Sequence, residues 1–178
     1  MSRGLGDVYK RQAEVKGIEF EYERIFENPL PNSTFFADKD LMIKMNYTYT
    51  DSEVKINPGD TYVNFTGSTV SAESLLANGR DTRLQGQSEE IANFQIGWDD
   101  LQNGSQGTLI VNYVSDRVRA RGIDVLPDIY EDPPLLVDFV YSRNIDYRDS
   151  NLKLSLELRN LLDEEYYAAM ADTVIYLS

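Results

Sequence analysis

Residues 41–50 read LMIKMNYTYT, and the fold follows from that run. Leu41, Ile43, Met45, Tyr47 and Tyr49 are apolar or aromatic, whereas Lys44, Asn46, Thr48 and Thr50 between them are polar. Side chains two apart share a face on an extended strand, so the run predicts a β-strand with one oily and one wet face. The same period recurs on either side. In VKGIEFEYE (15–23), Ile18, Phe20 and Tyr22 oppose Glu19, Glu21 and Glu23; in IANFQIGWD (91–99), Ala92, Phe94, Ile96 and Trp98 oppose Asn93, Gln95, Gly97 and Asp99. LLVDFVYSR (135–143) sets Leu135, Val137, Phe139 and Tyr141 on one face, with Leu136 and Val140 making the other less polar. GTLIVNYVSDRVRA (107–120) predicts a strand whose facing stays open, because Leu109, Val111 and Tyr113 compete with Ile110, Val114 and Val118. NLKLSLELRN (151–160) is rich in helix formers, yet Leu152, Leu154, Leu156 and Leu158 alternate with Lys153, Ser155, Glu157 and Arg159. On a helix, residues two apart lie about 200° apart and these leucines would split between opposite sides, so a strand is expected. NLLDEEYYAAMAD (160–172) is expected to form a short helical turn or loop, and DTVIYLS (172–178) to begin a partial last strand.

Composition narrows the chemistry. The 178 residues amount to one domain at most, or part of one; 17 Lys plus Arg against 30 Asp plus Glu give a formal charge of −13. A chain this acidic, with its cations scattered, repels phosphate backbones, so nucleic acid is not an expected partner. The absence of Cys and His removes disulfides, structural zinc, thiol nucleophiles and imidazole bases, and leaves only carboxylates, Lys, Tyr and Ser for chemistry. Mean hydropathy of −0.43 with no long apolar run excludes a membrane-spanning helix. Twelve Tyr against seven Phe and one Trp lean towards strands and half-polar interfaces.

The connections carry a second pattern. NGSQ (103–106) and NIDYRDS (144–150) predict short turns, whereas the stretch from Ser52 to Ser88 is long and RGIDVLPDIYEDPP (121–134) is a medium loop with three prolines. Short turns at one end and long loops at the other describe an antiparallel up-and-down meander. FENPLPNSTFFADKD (26–40) is the exception: it falls on the short-turn side and is too long for it. The opening MSRGLGDVYKRQ (1–12) lacks the apolar stretch of a secretory signal and resembles the spurious start of reading frames taken from assembled environmental sequence, so fold reasoning begins at residue 13.

Expected strands of about 9–13 residues exceed the 5–6 usual in soluble sandwiches and suit tilted membrane strands of about 9–11. In a membrane barrel the oily face meets lipid, the polar face meets the lumen, and aromatic residues gather at both interfaces. Tyr47, Tyr49, Trp98, Tyr113 and Tyr141 sit towards strand ends. The ending LKLSLELRNLLDEEYYAAM, with Asn160, Leu161, Leu162, Asp163, Glu164, Glu165 and Tyr166, resembles the penultimate barrel strand of the TonB-dependent outer-membrane receptors, whose pattern is an alternating strand running into Asn-Leu-Leu/Phe-Asp-x-x-Tyr. VKGIEFEYE is similar to that family's strands opening on Gly-Ile/Val-Glu, and MNYTYTDSEV to a strand entering an extracellular loop.

The resemblance covers residues 13–178 and implies part of a 22-stranded, plugged barrel. It further implies a non-enzymatic protein without a cofactor in a Gram-negative outer membrane, active uptake of a siderophore, cobalamin-like or oligosaccharide ligand, and outer-membrane lipid and lipopolysaccharide as surroundings. The plug domain, the TonB-contacting segment and the last strand have no counterpart here, so the expectation is a fragment of about six strands plus a partial one, which alone neither transports nor folds stably in water. Two other readings stay open: a small outer-membrane barrel of structural or adhesive role, and a soluble carbohydrate-binding β-sandwich.

Candidate functional residues follow from the loops. Residues 52–87 are expected to form the largest, extracellular loop, and ligand contact is expected there or in residues 121–133. Tyr62, Asn64, Phe65, Arg80 and Arg83 are the candidates, because aromatics and Arg dominate recognition surfaces. Glu19, Glu21 and Glu23 form a carboxylate row for which a plain lumen wall is the simpler reading. Asp128, Glu131 and Asp132 lack the glycine and the terminal glutamate of a calcium loop. Asp163, Glu164 and Glu165 are sequence neighbours and cannot face one another across a sugar. Arg117, Arg119 and Arg121 alternate as a basic row suited to lipopolysaccharide or the lumen, with a solvated face as the simpler reading. Leu41, Ile43, Met45, Phe94, Ile96, Leu154 and Leu156 are expected to face outward, and Lys44, Asn46, Asn93, Gln95, Glu157 and Arg159 the concave side.

Overall fold

A computed structural model describes residues 12–64, 66–75, 82–122, 127–148, 150–170 and 173–177. The chain is all-β, with antiparallel sheets that do not close on themselves. Six strands, β1 (Gln12–Phe26), β2 (Asp40–Lys55), β5 (Glu90–Asp100), β6 (Ser105–Val114), β9 (Leu136–Tyr147) and β10 (Ser150–Leu158), form the main sheet in that order. A hairpin of β3 (Thr61–Val63) and β4 (Thr69–Ser71), followed by a 3-10 turn at Ala72–Leu75, lies between β2 and β5. A second sheet runs β12 (Thr173–Leu177), β11 (Tyr166–Met170), β8 (Ile129–Asp132), β7 (Arg117–Ala120).

The alternation of the sequence becomes two faces through a single register. Residues directly opposite in an antiparallel pair share a face. Phe20 faces Tyr47, Tyr47 faces Ala92 and Ala92 faces Tyr113. One step on, Tyr22, Met45, Phe94, Val111 and Val137 form a row, and Ile43, Ile96, Leu109, Phe139 and Leu158 form the next. Leu41, Trp98, Gly107, Tyr141 and Leu156 follow. An apolar face thus crosses all six strands, and none of these large side chains is buried. Glu21, Asn46, Asn93 and Asn112 share the other face, as do Glu23, Lys44 and Gln95. This register settles the open facing of β6: Leu109, Val111 and Tyr113 join the apolar face and Ile110 the polar one. Gly107 is needed where it stands, because the Trp98 indole lies across it and would overlap any Cβ placed there.

The second sheet continues the first. Asn112 faces Leu136 in the main sheet, and Arg117 faces Glu131 five residues on along each strand, so β6–β9 and β7–β8 are one ladder in one register. It breaks where Pro133 and Pro134 supply no N–H to Ser115 and Val114 across from them. Phe139 faces Leu158, whereas Asp132 faces Tyr167, which is seven residues back on one strand and nine on along the other. The two extra residues are looped out after β10 by Asn160. Its backbone sits at φ 51°, its N–H donates to Asp138 Oδ1 (2.8 Å), its Oδ1 accepts the Glu164 N–H (3.2 Å) and its Nδ2 donates to the Glu164 carbonyl (3.0 Å). Leu161 N–H donates to the Val137 carbonyl at 2.7 Å.

Several boundaries differ from expectation. The stretch 107–120 is two strands, β6 and β7, bent at Ser115 and Asp116. Ile129–Asp132 is a strand inside the expected loop, and Tyr166–Met170 is strand rather than a helical turn, since β8 offers it a ladder that local propensity does not reveal. Ser52–Lys55 extends β2, paired with Gln12–Val15, so the long connection begins at residue 56. Asn144–Tyr147 extends β9, and the hairpin turns between Tyr147 and Ser150. The connections 27–39 and 101–104 and this hairpin lie at one end of the sheet, the longer connections at the other.

Candidate functional site

At the long-connection end, two of the five chosen side chains, Asn64 and Arg83, hold the loops together. Asn64 closes the β3–β4 hairpin: its Oδ1 accepts from Thr66 N–H (3.1 Å), Thr66 Oγ1 (2.7 Å) and Ser68 N–H (2.9 Å), a local turn that Asn forms readily. Tyr62 is half-buried in β3. Arg83 donates to Asp116 Oδ2 (2.9 Å) and to the Asp116 carbonyl (3.3 Å). Phe65 and Arg80 lie outside the described residues. Tyr62 and Asn64 therefore share one hairpin, while Arg83 sits at the base of the loop against the start of β7.

That base is clamped by three buried serines. Ser52 Oγ accepts the Leu84 N–H (3.0 Å), Ser88 Oγ donates to the Ser115 carbonyl (2.9 Å), and Ser115 Oγ accepts the Glu90 N–H (3.0 Å). Backbone bonds from Gly86 to Val118 (2.8 Å) and from Val54 to Thr82 (2.7 Å) complete the strap. Sequence reading missed these serines, which carry no distinguishing pattern in a loop rich in Ser and Thr.

The basic and acidic rows are largely spent on each other. Arg121 Nη1 pairs with the buried Asp128 at 2.9 Å, and Asp128 Oδ1 accepts the Gly122 N–H (2.9 Å). Arg117 grips Glu131 with two bonds, Nε to Oε2 and Nη2 to Oε1, both 3.2 Å, and Tyr166 donates its hydroxyl to the same carboxylate. The Arg117 guanidinium first, and the Tyr166 hydroxyl after it, hold the Glu131 carboxyl below the usual range against the opposing effect of burial. Burial first, then the hydrogen bond to Glu131 and the Glu131 charge, pushes the Tyr166 phenol up. Arg119 and Asp132 remain exposed. The Arg117–Glu131 pair was findable, since opposite charges flank a hairpin, but the registering partner Tyr166 lies 35 residues from Glu131.

On the polar face, Glu23 pairs with Lys44 (2.6 Å), and Glu19 accepts from Asn46 Nδ2 (2.9 Å). This is a hydrogen-bonded wall, and among the described residues no group of three Asp or Glu is placed to hold a metal ion. Asp163, Glu164 and Glu165 sit exposed on the turn that Asn160 organises. At the opposite end of the sheet, Leu101–Gly104 and Arg143–Asp146 line an open groove of about 630 Å³. At the same end of the sheet, Phe35 and Phe36 stack edge-on against Trp98 at 5.4 and 6.3 Å between ring centres. No helix among the described residues is long and apolar enough to cross a membrane, which leaves strands untouched by that test. Comparison with known proteins returned no matching family model, no matching curated protein and no matching solved structure.

Proposed function

We propose that the chain forms a section of the wall of an outer-membrane β-barrel of the TonB-dependent receptor kind, a non-enzymatic part of a machine that imports a bulky ligand. One observation carries this reading: a single register across six strands gathers most of the large apolar side chains on one unburied face and leaves the other mainly polar, with Ile25, Met42, Ile91, Ile110, Leu136 and Val140 among its apolar members. Each such side chain gains about 1.5–3 kcal/mol on leaving water, so the face requires cover. Lipid covers such a face in a barrel wall, and the polar side then meets a lumen. A sandwich would cover it with a second sheet, whereas the second sheet here prolongs the strands of the first. Among the described strands, β1 has a partner on one side only, and closure by further strands satisfies such an edge. Ligand contact belongs to the long-connection end, where Tyr62 and Arg119 stand on the loops and β7. Plug, TonB and lipopolysaccharide are the partners this reading brings.

The test uses the absence of native cysteine. Single cysteines from Asn93 to Ile96 are labelled with an environment-sensitive fluorophore in the 178-residue chain refolded into vesicles. Labels at 94 and 96 should emit as in hydrocarbon and those at 93 and 95 as in water, and emission without this period of two counts against a spanning strand. Without lipid or detergent the chain should sediment as aggregate; a soluble monomer that melts cooperatively would favour the sandwich.

A further inference from the structure

The β9–β10 hairpin overhangs its neighbour. β6 begins at Ser105, opposite Arg143, and the turn at 101–104 leads from it to β5, whereas β9 runs on to Tyr147, paired with β10 from Ser150 to Lys153. Among the described strands, residues 145–147 therefore have a ladder on one side only. In an antiparallel pair the backbone groups of successive residues point alternately to the two sides. Asn144 N–H donates to the Gly104 carbonyl (2.8 Å), so residue 144 turns its backbone towards β6. Two residues on, Asp146 turns its N–H and C=O the same way, past the end of β6, and no partner meets them among the described residues.

This overhang and the turn at 101–104 line the open groove of about 630 Å³, and the turn stops one end of it. Leu101, 76% exposed, and Ile145, 41% exposed, give it apolar surface. Arg143 lines it at the stopped end, is exposed, and forms no ion pair among the described residues, although the chain carries 30 Asp plus Glu against 17 Lys plus Arg. The groove's own carboxylate, Asp146, accepts from Asn151 Nδ2 (2.8 Å), and Asp100 behind the turn is buried against Lys39 and Asn103. The site thus offers an unpaired strand edge, an apolar wall, and a cation where the edge runs out.

We infer that this groove takes the C-terminus of another protein chain, added as a short strand antiparallel to β9, with its carboxylate on Arg143 and an apolar last side chain beside Leu101 and Ile145. An extended peptide supplies the acceptor and donor that Asp146 lacks, as strand addition to a sheet edge does in general. The edge from 145 to 147 spans about 10 Å, room for about three residues. The turn blocks passage beyond Gly104, so the added strand ends there. Its direction follows from charge: a parallel strand would bring its N-terminal ammonium to Arg143, whereas an antiparallel one brings a carboxylate, which a guanidinium binds strongly. The site lies at the opposite end of the sheet from the loops assigned to ligand contact, and its occupant is a peptide rather than the imported ligand.

The experiment measures fluorescence anisotropy of a fluorescein-labelled peptide, Gly-Ser-Thr-Val-Thr-Leu, with the 178-residue chain refolded in detergent micelles and its β content followed by circular dichroism. The peptide with a free carboxylate should bind at least about ten-fold more tightly than the same peptide amidated at its C-terminus. Arg143→Gln should bring the free acid down to the level of the amide, and Arg159→Gln, at the other end of β10, should leave the difference intact. Strand addition is tested on the peptide itself. With the last residue opposite Ile145, the penultimate one faces Asp146, so N-methylation of the penultimate residue should weaken binding at least about ten-fold, while N-methylation of the last residue, whose N–H points away from β9, should be tolerated. Equal binding of acid and amide, a preference that survives Arg143→Gln, equal loss from the two N-methyl peptides, or no binding by a chain of full β content would each overturn the site.

Discussion

Along β10, Leu152, Leu154, Leu156 and Leu158 stand exposed, while a short distance beyond that strand Ala168 is buried, with Val118 buried two ladders away. The main sheet is six paired strands whose apolar side is covered, within the described chain, by little more than Phe35 and Phe36 on Trp98. The extension above it is built from short strands, yet it satisfies its own charges, with Arg117 on Glu131, Arg121 on Asp128 and Tyr166 on Glu131. A region that pairs its polar groups internally can stand in water, whereas one that displays a broad apolar face depends on what covers it. The same polypeptide therefore has two sources of stability, and substitutions should separate them.

The widest separation is expected at the apolar face. Leu109→Arg places a cation in the middle of the apolar rows and should cost about 2–4 kcal/mol of stability in vesicles, as for a cation at the membrane midplane. Gln95→Arg, one strand away on the polar face, should stay within about 0.5 kcal/mol. Unfolding from vesicles by guanidinium measures both. Equal costs would mean that the two faces meet the same surroundings and would remove the contrast.

Next comes the ion pair of the extension. Glu131→Gln leaves Arg117 without its charged acceptor and should cost about 1.5–3 kcal/mol locally. The pH dependence has a definite sign. Glu131 titrates at about 4.3 when unfolded and lower when folded, so its contribution is complete above about 4.3 and disappears as pH falls from there through the lowered folded value. Amide exchange in β8 and β11 should accelerate in that acid window in the native chain, and the Gln variant should lack this acid-linked loss. Acceleration between pH 7 and 5 instead would assign the effect to other groups.

A smaller effect is expected where the two regions join. Asn160 combines a left-handed backbone with side-chain bonds to Glu164. Asn160→Gly keeps the backbone freedom and loses the bonds, at about 1 kcal/mol, while Asn160→Ala also strains φ and should cost about 1–2 kcal/mol. Protection of the β11 amides reports both. If Ala proved no worse than Gly, the left-handed turn would not be what sets the two-residue offset between β10 and β11.

This junction also marks how far the sequence is readable. Period two in residues 15–23, 41–50, 91–99 and 151–160 marks strands that the structure contains, because a face that differs from its opposite leaves its signature in every second residue. The facing of 107–120 is not local information: it is fixed by Leu109 meeting Ile96 and Phe139, and Pro133 with Pro134 decides where its ladder stops. Tyr166, Tyr167, Ala168, Ala169 and Met170 show no alternation, so β11 is legible only from its pairing with β8. Among the candidate contact residues, Asn64 is a turn former and Arg83 an ion-pair partner. Residue type suggests recognition at both positions, and the loop geometry assigns them support.

The smallest change is expected on the polar face, at Lys44. Its ammonium lies 2.6 Å from Glu23, but both side chains are more than two-fifths exposed, at 41% and 49%. Water screens their attraction, and holding two long side chains in one geometry costs entropy, which leaves about 0.2–1 kcal/mol for exposed pairs in general. Asn46 beside them keeps its bond to Glu19 whichever residue stands at 44. Lys44→Gln should therefore shift the unfolding midpoint by less than either Asn160 variant, and raising the salt concentration should remove most of that shift, since an exposed pair is screened within about 10 Å at 0.1 M. A cost as large as that of Glu131→Gln, and insensitive to salt, would place Lys44 away from water. It would then follow that something covers the polar face, and the contrast between a wall with one wet side and a self-sufficient extension would have to be redrawn around that cover.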